Sequence, residues 1–258
     1  MTMRKNMALA KLRAGKVVNG PALTYASPDL AEWAAHLGFD YVWLDWQHSE
    51  YTELSLNNAI ARTRAGTATP LVRVKANERG TNNRVLDMGA MGVIVPNVEN
   101  ADEARAAVDA AFYPPRGRRS AGGLRLGMLA DGVEDYLYNA NPEIMLVVMV
   151  ESEAAVGRVR EIMAVPGIDV VLIGPGDLMI DVTARGGDEA RHEALVLEVA
   201  AASKATGVAA GYVCGTEAMA ARRVAQGFRF VNYGLDHGIM MAGLKALKAE
   251  HDRLSGSA

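Results

Sequence analysis

Met145-Leu-Val-Val-Met-Val-Glu151 and Val170-Val-Leu-Ile-Gly-Pro-Gly-Asp177 are the two stretches whose reading decides the fold. Each is a short apolar run that leads into an acid. Runs apolar on both faces read as buried parallel strands, covered by helices on either side. A carboxylate at a buried strand end needs a partner, because stripping water from a charge is costly. Two such acids at consecutive strand ends point to a shared cation.

These two runs supply strands at 145–151 and 170–174. Outward from them, further candidates fall at 17–23, 41–45, 71–74, 92–96, 208–213 and 228–232. Ala-rich helical stretches lie between, at 28–37, 54–64, 101–111, 153–163, 189–206 and 217–226. Gly38, Gly66, Gly167, Gly207 and Gly227 each separate a helical segment from the next strand, as helix-ending glycines do. Eight strands alternating with helices in 258 residues predict an α/β fold, a (β/α)8 barrel. A doubly wound open sheet is the rival. It usually carries a Gly-rich nucleotide loop after its first strand, and Leu23-Thr-Tyr-Ala-Ser-Pro-Asp29 is not one. No Ser/Pro/Gly-rich linker divides the chain, so one domain over 1–258 is expected. The span 113–141 is its long irregular connection, of the kind that often carries function.

Lys and Arg number 27 against 30 acids, a formal charge of −3, so no asymmetry directs the chain to nucleic acid or membrane. No apolar stretch approaches the ~20 residues of a membrane span. Residues 1–16 alternate basic and apolar residues at helical spacing and lack the apolar core of a secretory signal. Cys214 is the only cysteine, which fits a reducing compartment. A cytoplasmic location is the expectation.

In such barrels the active site forms at the C-terminal ends of the strands. Polar residues at those ends are Asp45 and His48 after strand two, Arg73 and Lys75 at strand three, and Glu151 and Asp177 after strands five and six. Glu151 and Asp177 offer hard oxygen ligands, which suits Mg²⁺, Mn²⁺ or Co²⁺ better than structural zinc. The plain alternative is a helix cap and an arginine pair. Arg73, in a buried strand, needs an oxygen-rich partner, either a substrate enolate or carbonyl oxygen or the carboxylate of Glu151. Lys75 is able to form a Schiff base in principle, but a surface-directed lysine is the simpler reading. A turn after Asp45 brings its carboxylate to the His48 imidazole, an acid–base dyad; a loop histidine beside a structural aspartate is the alternative. Backbone N–H groups in Gly174-Pro-Gly176-Asp177 make a small-anion seat, or a tight turn only. His36, His192 and His251 read as solvated helical residues, and His237 as a weaker candidate at the mouth.

These residues resemble the HpcH/HpaI aldolase family, metal-dependent pyruvate aldolases of the phosphoenolpyruvate/pyruvate barrel superfamily. The resemblance rests on Glu32 with Gly38-Phe-Asp40, Leu44-Asp45-Trp-Gln-His48, Leu71-Val-Arg73 and Val85-Leu-Asp87-Met-Gly-Ala90. It continues through Val95-Pro96 to Asn100-Ala-Asp-Glu-Ala104, then Tyr113-Pro-Pro-Arg-Gly117, Glu151 and Ile173-Gly-Pro-Gly-Asp177-Leu. It implies that Glu151 and Asp177 hold the divalent cation, and that Arg73 steadies the keto or enolate oxygen of pyruvate. Asp45 and His48 are implied as the acid–base dyad. Gly176 and Asp177 are implied at the substrate, and Asp87 in oligomer contacts or beside the dyad across an interface. It further implies a homohexamer, a trimer of dimers, with an exchanged C-terminal helix. The chain departs from the family pattern at Gln47, Gly176, Met179 and Ala22, where relatives commonly carry Glu, Ala, Ser and, in some, Trp. Ala22 and Trp46 are expected to reshape the aldehyde pocket.

The implied reaction is reversible cleavage of a 4-hydroxy-2-oxo acid to pyruvate and an aldehyde. The rivals are a CoA-ester lyase of the malyl- or citramalyl-CoA type, for which no CoA-binding surface is evident, and a non-catalytic carboxylate-binding barrel. Arg116, Arg118 and Arg119 either meet an acidic acceptor tail, remain solvated or lie at a subunit contact.

Overall fold

The computed structural model describes residues 3–123 and 125–256; the first two residues of the basic–apolar start and the last two of Ser255-Gly-Ser-Ala258 lie outside them. Eight parallel strands close into a barrel in chain order: β1 (Val18–Leu23), β2 (Tyr41–Asp45), β3 (Thr69–Arg73), β4 (Gly92–Val95), β5 (Met145–Val150), β6 (Val170–Ile173), β7 (Ala209–Cys214) and β8 (Phe230–Leu235). β8 pairs back onto β1, with a register shift between Gly20 and Ala22. The helices are α1 (Met7–Arg13), α2 (Pro28–His36), α3 (Glu53–Arg62), α4 (Arg79–Asp87), α5 (Ala101–Ala111) and α6 (Val133–Asn139). They continue with α7 (Glu153–Gly157), α8 (Val159–Met163), α9 (Pro175–Ala184), α10 (Glu189–Thr206), α11 (Glu217–Ala225) and α12 (Asp236–Ser255).

The period-two alternation of a strand sorts the apolar residues into two cores. Tyr41, Trp43, Leu71, Met145, Val147, Met149, Leu172 and Phe230 pack in one cluster inside the barrel. Val42, Leu44, Leu146, Val148, Val150 and Ile173 belong to the larger layer between sheet and helices. α1 buries Ala8, Leu9 and Leu12 against the inner cluster, so it plugs the barrel. Asn6 fixes that plug: its side chain caps Leu9 N–H and donates to the carbonyls of Met91 and Glu143.

Four details differ from the sequence expectation. β3 starts at Thr69 and runs through Pro70, whose missing N–H is tolerated because its carbonyl still accepts from Met91. β8 extends to Leu235 rather than stopping at 232. The helix expected over 153–163 breaks at Arg158 (φ −109°, ψ 9°) into α7 and α8. The 113–141 span builds a core of its own, with Tyr113, Leu126, Leu129, Ala130, Tyr136 and Ala140 packed together. Among the described residues, no helix is long and apolar enough to cross a membrane.

Candidate active site

Alternation also explains the convergence at the strand ends. Counting inward positions up β2 gives Tyr41, Trp43 and Asp45; up β3, Thr69, Leu71 and Arg73; up β5, Met145, Val147, Met149 and then Glu151. Register sets Asp45 directly beside Arg73 on neighbouring strands. A cavity of about 200 Å³ opens among these ends, bounded by Asp45, Arg73, Glu151, Gly174, Gly176 and Asp177.

Asp45 is 3 % exposed and pairs with Arg73 in a two-point contact, Nε to Oδ1 at 2.9 Å and Nη2 to Oδ2 at 2.5 Å. Such bidentate pairs fix a guanidinium in orientation as well as charge. The Arg73 guanidinium also lies 5.2 Å from the Trp43 ring centroid. Glu151 is buried, and its Oε2 accepts from the Asn97 N–H at 2.9 Å. Asn97 presents that N–H from a left-handed backbone, φ 53°, a conformation asparagine tolerates better than most residues. Burial raises the Glu151 carboxyl above its usual range; the Asn97 hydrogen bond opposes this, the Asp177 charge adds to it, and the Arg73 charge opposes it. Gly174 lies so close that a Cβ there would stand 2.3 Å from Glu151 Oε1.

Gly174-Pro-Gly-Asp177, expected as a loop, is the start of a helix. Gly174 is the N-cap of α9, Pro175 takes its first position, and Asp177 sits in its first turn. Proline and an acid are both favoured there, by pre-set φ and by the helix dipole. α9 thereby delivers Asp177 to the rim facing Glu151.

The donor set fits a divalent cation. Two carboxylates sense each other's charge, one is buried with only a backbone N–H as its hydrogen-bond partner, and a glycine leaves room beside it. Among the described residues no group of three His, Cys, Asp or Glu side chains forms a metal cluster. Glu151 and Asp177 would therefore supply two oxygen ligands and leave other positions to water and substrate, as Mg²⁺-type ions accept.

The other expected residues distribute unevenly. Asp45 and His48 do not meet as carboxylate and imidazole: Asp45 Oδ1 accepts the backbone N–H groups of Gln47 and His48, and the exposed His48 ring stands outside the cavity lining. The side-chain partner of Arg73 is Asp45, not Glu151 as the alternative reading of that arginine supposed. Asp87 ends α4, away from the cavity, where it pairs with the fully buried Arg119 at 3.0 Å. Burial raises the Asp87 carboxyl, with Arg119 opposing. Lys75 is exposed, its ammonium 4.6 Å from the Trp46 ring centroid. Arg116 stacks on Phe112, Arg118 pairs with Asp109, and none of Arg116, Arg118 and Arg119 lines the cavity. His192, expected to be solvated, is buried on α10, whereas His36, His237 and His251 are exposed.

Four residues at the mouth escaped the sequence reading. Asn97 holds Glu151, and Trp43 and Asn232 line the cavity. Asp236 accepts from Thr24 N, Thr24 Oγ1 and Tyr25 N at 2.7–2.8 Å, tying the β1–α2 loop to the start of α12. Asn97 follows Val95-Pro96 and Asp236 begins a helix, so each had a local signal; Trp43 and Asn232 looked like ordinary strand residues.

Comparison with known proteins agrees with this geometry. The family model described as HpcH/HpaI aldolase/citrate lyase matches residues 23–242. The chain is 36 % identical to the 4-hydroxy-2-oxovalerate aldolase of Novosphingobium aromaticivorans, over 90 % of this chain and 88 % of that protein. It is 33 % identical to the 4-hydroxy-2-oxo-heptane-1,7-dioate aldolase of Salmonella arizonae, over 98 % of both. A crystal structure of a HpcH/HpaI aldolase/citrate lyase family protein from Burkholderia cenocepacia superposes with a TM-score of 0.88 at 30 % identity, covering 96 % of this chain and all of the other. With an eight-stranded barrel, an acid-lined mouth and a family match over most of its length, this chain belongs to the HpcH/HpaI aldolase/citrate lyase family.

Proposed function

We propose that the protein is a carbon–carbon lyase, a class II aldolase that reversibly cleaves a 4-hydroxy-2-oxo acid to pyruvate and an aldehyde. The observation that carries this reading is the facing pair Glu151 and Asp177 beside the clamped Arg73–Asp45 pair in one small cavity. The names of the aldolase relatives support it.

A divalent cation, Mg²⁺, Mn²⁺ or Co²⁺, held by Glu151 and Asp177 would supply Lewis-acid stabilisation of charge on the oxo acid. The remaining work falls to the chain's own groups. Arg73, held in place by Asp45, directs its N–H donors at the oxygen where negative charge gathers as the C3–C4 bond breaks. Each ~1.4 kcal/mol of stabilisation gained there speeds the step about tenfold. The C4 hydroxyl gives up its proton as the aldehyde forms, and a proton enters C3 to complete pyruvate. His48, at the rim, is the proposed carrier of these protons, with Asp45 fixing its backbone. Gly176, with open space at its Cα, lets the pyruvate carboxylate approach the α9 N-terminus beside Asp177.

Oligomeric assembly is part of the proposal. α12 leaves Ile239, Met240, Met241, Leu244 and Leu247 half exposed or more, and Trp33 and Leu37 of the α2 region stand out beside them. Apolar patches of this kind mark contact surfaces. We propose that this face packs against a second copy within a hexamer, and that Asp87 acts at a subunit contact. A single barrel over the whole chain and a cytoplasmic, reducing setting, consistent with the free Cys214, complete the reading.

Pyruvate release from a set of 4-hydroxy-2-oxo acids tests the function. Chelator-treated enzyme should be inactive and recover on addition of Mg²⁺ or Mn²⁺, whereas Glu151→Gln and Asp177→Asn should stay below about 1 % of the wild-type rate while keeping the fold. Full activity of both variants after resupply would overturn the metal assignment.

A further inference from the structure

The cavity has two unlike halves. Toward β5 and β6 it meets Glu151, Gly174 and Asp177; across from them it meets Val213, Asn232, Ala22 and Trp43. β1 lies between β8 and β2 and sets only small residues beside them, Gly20 level with Asn232 and Ala22 with Trp43. No cation lines this half among the described residues; the one guanidinium of the cavity, Arg73, is committed to Asp45.

Asn232 is fully buried, and its Nδ2 donates to the Gly20 carbonyl at 2.9 Å, which fixes how the amide is turned. Its Oδ1 has no partner. Trp43, 3 % exposed, likewise has an indole N–H with no partner. Buried polar atoms are nearly always paired in native proteins, so an orphaned acceptor and an orphaned donor on residues lining one cavity ask for a ligand that supplies both. A methyl group would leave both unpaired. A carboxylate would set its oxygens against Oδ1 with no cation to compensate. A hydroxyl donates and accepts, and satisfies both atoms without charge.

We infer that the acceptor aldehyde is a neutral hydroxyaldehyde and that Trp43 and Asn232 select it through its hydroxyl. The inference rests on the aldolase reading of the same cavity and names the other product. It differs from the dicarboxylate substrate in the name of the relative from Salmonella arizonae, in keeping with Arg116, Arg118 and Arg119 lying off the cavity.

Two substrates with one carbon skeleton decide it: 4,5-dihydroxy-2-oxopentanoate, from glycolaldehyde, and 4-hydroxy-2-oxopentanoate, from acetaldehyde. Wild-type kcat/KM for pyruvate release should favour the dihydroxy acid by about tenfold or more, since a site built to bond a hydroxyl discriminates against its absence. Asn232→Leu and Trp43→Phe should each bring that ratio toward one, and Trp43→Phe decides if Asn232→Leu does not fold. A wild-type ratio at or below one, or a ratio that survives in the folded variants, overturns the inference. Solvent exchange of pyruvate methyl protons by the wild type separates the two levels. Exchange without discrimination removes the hydroxyl inference alone; absence of exchange removes the aldolase reading and this inference with it.

Discussion

Gly174 governs how Glu151 meets the rest of the mouth. Its φ of −87° is ordinary, so the need for glycine there is one of space: a Cβ would overlap the Glu151 carboxylate at 2.3 Å. Gly174→Ala should push that carboxylate aside and weaken apparent Mn²⁺ affinity at least tenfold, measured by metal titration with pyruvate release as readout. Unchanged affinity would show that Glu151 has slack and does not hold the ion. Gly176, farther along the same helix start, has open space where a Cβ would stand, with no neighbour within 4 Å, so Gly176→Ala is the matched control for backbone effects. At this scale the sequence was informative wherever a single strand sufficed. The inward aim of Glu151 follows from counting by twos along 145–151. The Asp45–Arg73 pair does not, because register between β2 and β3 is written in neither motif, and the short turn after Asp45 commits its oxygens to Arg73 and backbone N–H groups.

Among elements, the join between α10 and α11 is where a charge holds helices together. Arg223 is 1 % exposed, lies over the Tyr212 ring, and meets Glu193 through two bonds of 2.7 and 2.8 Å. In the sequence Arg222-Arg223 looks like a solvated pair on an amphipathic helix; burial of the second depends on an acid far back along the chain. Glu193→Ala strands that guanidinium and should cost about 3 kcal/mol in chemical denaturation. The pH dependence has a definite sign. The Arg223 hydrogen bonds hold the Glu193 carboxyl down from 4.5 to about 2, so its contribution is full above about pH 4.5 and is lost as pH falls toward 2. Over that window the wild type should lose more stability than Glu193→Ala. Parallel acid profiles would contradict the coupling. The helix α9 was also missed: Gly-Pro-Gly reads as a turn, yet Pro175 at a first helical position begins one, and that start aims Asp177 inward.

For the molecule as a whole, strand–helix alternation and glycine punctuation were enough to read the barrel, because both are local patterns repeated around the sheet. What local pattern cannot show is which faces stay uncovered. α12 spans 20 residues, and nearly all of its length stays exposed. If this face packs on a second copy, Ile239→Glu combined with Leu247→Glu should yield smaller species than the wild type in sedimentation velocity. A wild-type monomer, or an unchanged mass in the variant, would contradict the assembly. The acids, the clamped arginine and the barrel mouth meet in one claim, that this site makes and unmakes the enolate of pyruvate. The most direct measurement is proton NMR of pyruvate in D₂O with enzyme and Mn²⁺ or Mg²⁺, set against metal-free and enzyme-free controls. The account predicts loss of the methyl signal only when enzyme and divalent cation are both present, and none with Glu151→Gln. A methyl signal that persists with the loaded wild type would contradict it.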